Sequence, residues 1–390
     1  MTSINSHSRW GRTLAWIVIG ILAGSAFCIW NFGVPFGDMR GGFLHCLAWS
    51  PDSTQLAAAY GDGSIYIRSA RGIWSGYPRC LTKSNSREYT NGLQWSPDGT
   101  MLLSRNEDGI SVWRVADGRL LLQEKNTRSY FYEGSGNPPY AWSPDGRKLA
   151  LLYGKENQDE HTLMLWSADQ PDTPPQEVWK IAKPEYPDTV QWQPGTTIVR
   201  VLAAYEDTAR MLHIDINEKK LVPFSEKADG NYSRDNTKAL VHHLAPNPGG
   251  NGELLYIEVK QAPQMNTLYT ITVPEPYVYY AIGGAEFQST LIISWSPDSK
   301  RFALCKNYHG CEESLQVWWD AQSGRELGAI RTDFSLQTKE APHFVWNEIS
   351  PDLNYVAIGI NQRHPHSQLI GSRIRILPAP SSTLPATSRP

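Results

Sequence analysis

"AWSPDGRKLALLYG", residues 141–154, is the stretch that decides the fold. Ser143, Pro144, Asp145 and Gly146 fill in order the four places of a type I turn, which takes Ser or Asp first, Pro second and Gly fourth. Pro144 presets its own φ and gives up an N–H that a turn does not need. Apolar stretches with strand character flank each copy, as "GLQW" before Ser96 and "MLLS" after Thr100 do. Four- and five-residue hairpin loops are often built on a type I turn. Each copy therefore predicts strand, tight turn, strand, with the Trp closing the first strand and facing the core.

The spelling recurs. "WSPDS" stands at 49–53, "WSPDG" at 95–99 and 142–146, and "WSPDS" again at 295–299, with weaker copies "WQPGT" at 192–196 and "ISPDL" at 349–353. The motif tryptophans at 49, 95, 142 and 192 are 46, 47 and 50 residues apart, and the next clear copy follows after 103. One degenerate copy is expected between, and "YSRDNTKALVHHL" (232–244) fits, with Tyr232 in the Trp place and Arg234 in the Pro place. A second apolar-alternating strand follows most turns: "SIYIRS" (64–69), "ISVWRV" (110–115), "TLMLWS" (162–167), "MLHIDI" (211–216) and "LQVWWD" (315–320). A fourth strand follows in several copies, so the unit is a four-stranded antiparallel meander. Seven units from about Phe43 to Leu377 predict an all-β, seven-bladed β-propeller, since four-stranded repeats of ~40–45 residues are the mark of propeller blades.

"VWRVADGRLLL" (112–122) and "LQVWWDAQSGREL" (315–327) resemble the end of a WD repeat, and the Trp-Ser-Pro-Asp-Gly turn is shared with WD-repeat propellers and with the propeller of the bacterial Tol translocation system. The resemblance implies a fold and leaves function open. Only Trp319-Asp320 keeps the Trp-Asp pair, and no Gly-His pair opens a repeat. Blade 2 retains Ser104, Asp108 and Trp113 for part of the hydrogen-bond network of such repeats.

Composition agrees: of 390 residues, 19% are charged, with 31 Gly, 27 Pro and 15 Trp, a turn-rich β composition. A net charge of −3 supplies no basic footprint for nucleic acid. The N-terminus differs. No charge lies between Arg12 and Asp38, and Leu14 to Val34 is 21 residues, about the ~20 that span a bilayer as a helix. Trp10, Trp16 and Trp30 lie near its ends, and His7, Arg9 and Arg12 precede it without an acid. These features predict a short cytoplasmic N-terminus (1–12), a transmembrane helix (13–36), an extracytoplasmic propeller (41–378) and a disordered tail (379–390). A cleaved signal peptide, with Ala23-Gly24-Ser25 as its cleavage site, is the competing reading, and it too exports the propeller. Only Gly33 to Gly42 remains between helix and ring, so blade 7 is expected to be three-stranded or closed by a very short pairing near Asp38 to Gly41.

No catalytic elbow, phosphate-binding loop or paired Cys-x-x-Cys is spelled out, so no catalytic residue, metal or cofactor is expected. Cys305 and Cys311 are a candidate disulfide across one hairpin; with His309 they would make an incomplete metal set. His242-His243 and His364-Pro365-His366 are the other histidine clusters, expected to be surface or satisfied side chains. "TRSYFYEGSGNPP" (127–139) and "PEPYVYYAIGGAEF" (274–287) are aromatic inter-blade loops. In the WD arrangement they share a face, making Tyr130, Phe131, Tyr132, Tyr277, Tyr279 and Tyr280 candidates for binding a protein or peptide partner. The expected function is a membrane-anchored, non-catalytic interaction scaffold. The alternatives are a propeller hydrolase or lyase with a central-channel site, and a propeller that senses a small ligand or sugar.

Overall fold

The computed structural model describes the chain from Leu44 to Pro380, apart from residues 71–77, 83–89, 91, 107–108, 126–138, 155–159, 183–185, 194–195, 206–207, 224–230, 234, 236, 247, 249–252, 263, 278–279, 283–284, 288–289, 308–312, 334–344 and 364–369. The expected transmembrane helix therefore lies outside the described residues, among which no helix is long and apolar enough to cross a membrane.

Seven antiparallel meanders follow one another. Blade 1 comprises Leu44–Trp49, Gln55–Tyr60, Ile65–Ser69 and Arg79–Thr82. Blade 2 comprises Gly92–Trp95, Met101–Asn106, Gly109–Arg114 and Leu120–Lys125. Blade 3 runs through Tyr140–Trp142, Lys148–Gly154, Glu160–Ser167 and Gln176–Ala182, and blade 4 through Tyr186–Trp192, Ile198–Tyr205, Thr208–Asp215 and a two-residue Lys220–Leu221. Blade 5 has Asn231–Tyr232, Lys238–Pro246, Glu253–Gln261 and Asn266–Tyr277, followed by a small hairpin, Tyr280–Ile282 with Ala285–Phe287. Blade 6 has Thr290–Trp295, Arg301–Asn307, Glu313–Asp320 and Glu326–Asp333. Blade 7 has three strands among the described residues, Val345–Ile349, Tyr355–Arg363 and Ile370–Pro378, and the expected closing segment near Asp38 to Gly41 lies outside them. Tyr232 does stand in the Trp place of the degenerate fifth copy, where Ser233 opens the turn and bonds Lys238 as Ser143 bonds Lys148.

The repeated turn works through its Ser and Asp. Ser143 Oγ donates to Asp145 Oδ1 (2.5 Å) and accepts the Lys148 N–H (2.8 Å), while Asp145 Oδ1 also accepts the Arg147 N–H (3.0 Å). The same arrangement holds Ser50–Asp52, Ser96–Asp98, Ser233–Asp235, Ser296–Asp298 and Ser350–Asp352. The hydroxyl of Ser143 beside Asp145 holds that carboxyl below its ordinary range, and in the Asp235 turn Ser233 and Thr237 bring the carboxyl down to about 2. Blade 4, with Gln193 in the Ser place, uses Thr196 instead: its hydroxyl accepts the Ile198 N–H at 3.1 Å.

The fourth turn residue has positive φ, 72° at both Gly99 and Gly146, which glycine adopts freely. Ser53 and Ser299 occupy the same conformation at 58° and 57°. Their hydroxyls do something a glycine cannot: Ser53 Oγ accepts the Asp352 N–H of blade 7 (3.0 Å), and Ser299 Oγ accepts the Asp235 N–H of blade 5 (3.2 Å). The Gly/Ser difference between copies is thus a turn-to-turn link between neighbouring blades.

The motif tryptophans also join blades. Trp95 Nε1 donates to the carbonyl of Ala48 (3.0 Å), Trp192 Nε1 to that of Ala141 (2.8 Å) and Trp49 Nε1 to that of Glu348 (3.0 Å). In each case the acceptor is the residue before the preceding blade's motif Trp, or before Ile349 in blade 7. Trp142 is buried as expected, edge-on to Trp166, but its Nε1 has no partner. In blade 2, Trp113 Nε1 donates to Ser104 Oγ (2.9 Å), the part of the WD-repeat network expected there; Asp108 lies outside the described residues.

Buried apolar clusters fill the junctions. Among the described residues they bridge blades 1 and 2, 2 and 3, 3 and 4, 5 and 6, 6 and 7, and 7 and 1. None bridges blades 4 and 5. There, alternation along the strands sets Gln191, Arg200 and His213 side by side on the face opposite to Val190, Val199 and Ile214. Arg200 Nη2 donates to Gln191 Oε1 at 2.9 Å, and His213 is buried.

Blade 7 meets blade 1 through a buried polar clasp. The Leu44 N–H donates to Asn361 Oδ1 (2.9 Å) and Ser372 Oγ (3.0 Å), and Asn361 Nδ2 returns to the Leu44 carbonyl (2.8 Å). Gly359 leaves room for Leu44, whose Cδ2 would lie 2.2 Å from any Cβ added there. The chain then continues past blade 7 in order: the Ala379 N–H donates to the Asn354 carbonyl, and Pro380 packs on Gly328 of blade 6. These two residues of the segment expected to be a disordered tail are therefore seated on the ring.

Candidate functional site

Every motif turn joins the first and second strands of a blade, so all of them lie on one face of the ring. Loops between second and third strands, and between blades, lie on the other. Blade heights on that second face differ. The second and third strands of blade 2 have six residues each, whereas those of blades 5 and 7 have nine. Three added residues raise a blade by roughly 10 Å.

Among the described residues, only blade 5 lifts its fourth strand as well. Asn266–Tyr277 runs for 12 residues and pairs Tyr277 with Glu253, beside the pairing of Glu253 with Pro246. A bulge spans Val273 to Glu275, because Pro276 faces Leu254 while Thr272 faces Tyr256. The chain then forms the small hairpin in which Tyr280 faces Phe287. The stretch expected to be an aromatic loop is therefore largely strand: Tyr277 and Tyr280 stand on paired backbone, and Tyr279 lies outside the described residues. The other three aromatic candidates, Tyr130, Phe131 and Tyr132, also lie outside them. The elevation itself escaped sequence reasoning, although the apolar run "GELLYIEVK" was a signal for a long strand.

Just below this raised end the described side chains include exposed histidines and a tyrosine. His242 and His243 are exposed, and the His243 ring stacks on Tyr256 with centroids 5.4 Å apart and planes 11° from parallel. Further down, Glu258 and Lys260 form an ion pair at 2.8 Å. A flat aromatic–imidazole surface held by regular strands suits recognition, since its rings are ordered before a partner arrives.

Elsewhere, two titratable groups of the innermost strands, Cys46 and Glu348, lie near each other. Cys46 is buried with Sγ 3.6 Å from the Thr90 carbonyl, and burial, reinforced by the charge of Glu348, pushes its thiol far above neutrality, so it is no thiolate nucleophile. Glu348 keeps some solvent contact but is enclosed by protein, and that enclosure raises its carboxyl to about 8. The Cys305 sulfur lies inside the junction of blades 6 and 7, 2% exposed, against the Asn347 carbonyl (3.8 Å) and Gln316 Nε2 (3.9 Å). Its candidate disulfide partner Cys311, together with His309, His364 and His366, lies outside the described residues. No group of three His, Cys, Asp or Glu gathers as a metal site among the described residues.

A search of curated proteins finds no match. Among solved structures the chain is similar to the C-terminal WD40 domain of Sif2, at 13% identity and a TM-score of 0.44, over 86% of this chain and 81% of that one. Residues 37–69, which include the first three strands of blade 1, match the family model described as WD domain, G-beta repeat.

Proposed function

We propose that this chain is a non-catalytic interaction scaffold, held on the outer side of a membrane by residues 13–36 and presenting a protein- or peptide-binding surface at the raised end of blade 5. The observation that carries the binding surface is the backbone of Lys238–Pro246, Glu253–Gln261 and Asn266–Tyr277, which extends beyond the height of blade 2 and brings Tyr277 and the Tyr280 hairpin to one place. Long ordered strands ending in aromatic residues bind at low entropic cost. The WD-repeat match supports the same reading, because WD propellers as a class hold other proteins. The anchor rests on the uncharged segment between Arg12 and Asp38 and the basic residues before it.

The test uses the full chain, captured from detergent-solubilised membranes. The parent should retain a defined protein that Tyr277→Ala/Tyr280→Ala loses at equal expression and unchanged melting temperature. Equal recovery by parent and variant would remove this surface from the reading. Alkaline carbonate should leave the parent in the membrane pellet, and its appearance in the soluble fraction would remove the anchor.

A further inference from the structure

The outer strands of the blades differ in charge. A propeller leaves seven outer strand edges facing solvent, and natural proteins block such edges with charged residues, bulges and proline. Blade 1 ends on "RCLT", blade 2 on "LLLQEK", blade 3 on "QEVWKIA" and blade 4 on "KL". Blade 6 ends on "ELGAIRTD", and the last strand of blade 7 among the described residues is "IGSRIRILP". Each carries at least one Lys, Arg, Asp or Glu. Blade 5 ends on the longest outer strand, "NTLYTITVPEPY", whose first eight residues, Asn266 to Val273, carry no charge. Thr267, Thr270 and Thr272 are exposed on it, and Leu268 is 46% exposed, one of three exposed large apolar side chains among the described residues. The neighbouring charges on the third strand, Glu258 and Lys260, neutralise each other.

We propose that this outer strand pairs antiparallel with the same strand of a second copy of the chain, two-fold about Thr270. A two-fold contact sets residue i opposite j and j opposite i, so any charge placed near the axis meets its own kind. Arg373 and Arg375 of blade 7 would do so; the blade 5 strand would not. With the axis at Thr270, Thr270 faces its own copy, Tyr269 faces Ile271 and Leu268 faces Thr272. Threonine pairs and aromatic–β-branched pairs are favourable across strands. Tyr269 is ordered by blade 6, its hydroxyl donating to the Ala321 carbonyl at 2.8 Å, which fixes the register of this edge. The contact ends where Pro274 interrupts the edge. It lies on the rim and does not rest on the partner-binding reading of the raised end.

Cysteine cross-linking of the full chain tests it. Directly opposed antiparallel residues have Cα atoms about 4.5–5.5 Å apart, within disulfide reach. On mild oxidation Thr270→Cys should give a disulfide-linked dimer at least about fivefold above the parent, whose five native cysteines set the background. Thr272→Cys, which faces Leu268 rather than its own copy, should stay at that background. Adding Leu268→Lys and Thr272→Lys to Thr270→Cys sets Lys against Lys at two exposed positions and should abolish the link. Equal linking by the two cysteine variants, linking no greater than the parent's, survival of the link in the lysine variant, or linking to a different polypeptide would each overturn the proposal.

Discussion

The junction of blades 7 and 1 joins parts of the chain some 300 residues apart, while blades 4 and 5 follow each other directly, yet among the described residues the distant pair is the more heavily built. Leu44, Leu47 and Trp49 pack with Ala357 and Ile374, Asn361 and Ser372 clasp the Leu44 backbone, and the Trp49 indole and Ser53 hydroxyl each cross to blade 7. Between blades 4 and 5 the described residues offer no apolar cluster; blade 4 turns the polar row Gln191–Arg200–His213 that way and has a fourth strand of only two residues. Chain connection already keeps consecutive blades together at little entropic cost, whereas closing a ring across some 300 residues carries the loop-closure entropy and needs packing to offset it. The closing junction thus carries apolar packing like that of the consecutive junctions, with a buried polar clasp added to it.

The largest expected effect comes from breaking the heavier junction. Leu44→Ala removes a side chain only 2% exposed and should cost about 2–5 kcal/mol in chemical denaturation. Asn361→Ala leaves the Leu44 N–H and carbonyl without their amide partner and should cost about 1–3 kcal/mol. Neither loss would occur if the two blades merely lay side by side.

A smaller effect sharpens the comparison through pH. An unfolded glutamate ionises near ~4.3. Folded Glu348 keeps its proton up to about 8, so between those values the unfolded chain sheds a proton that the folded one retains. The stability linked to this group is therefore full below the unfolded value and declines as pH rises towards the folded one. Glu348→Gln should match the parent at pH 4 and exceed it at pH 7 by roughly 1–2 kcal/mol, reduced from the full linkage because the side chain keeps some solvent contact. A pH-independent difference would mean that Glu348 is not enclosed by this junction.

Much of the fold was legible because the Ser-Pro-Asp turn is local chemistry: Ser143, Asp145 and Gly146 satisfy each other within six residues, so spelling and geometry coincide. Even the degenerate copy at Tyr232 kept the Ser and Asp that hold the turn. The candidate site was less legible. Bulges depend on which residues of a neighbouring strand remain to be paired, so nothing in "VPEPYVYYAI" announced that Tyr277 would reach Glu253. The polar face of blade 4 was hidden for the same reason: Gln191, Arg200 and His213 are far apart in sequence and meet only once strand register is fixed.

Native-state hydrogen exchange of the full chain, resolved by blade, tests most directly the claim that the closing junction of blades 7 and 1 is held more firmly than the junction of blades 4 and 5. Central-strand amides of blades 4 and 5, such as those of Val201 and Leu240, should exchange before those of Ala58 in blade 1 and Ala357 in blade 7. Earlier exchange at Ala58 and Ala357, or one common rate around the ring, would contradict it.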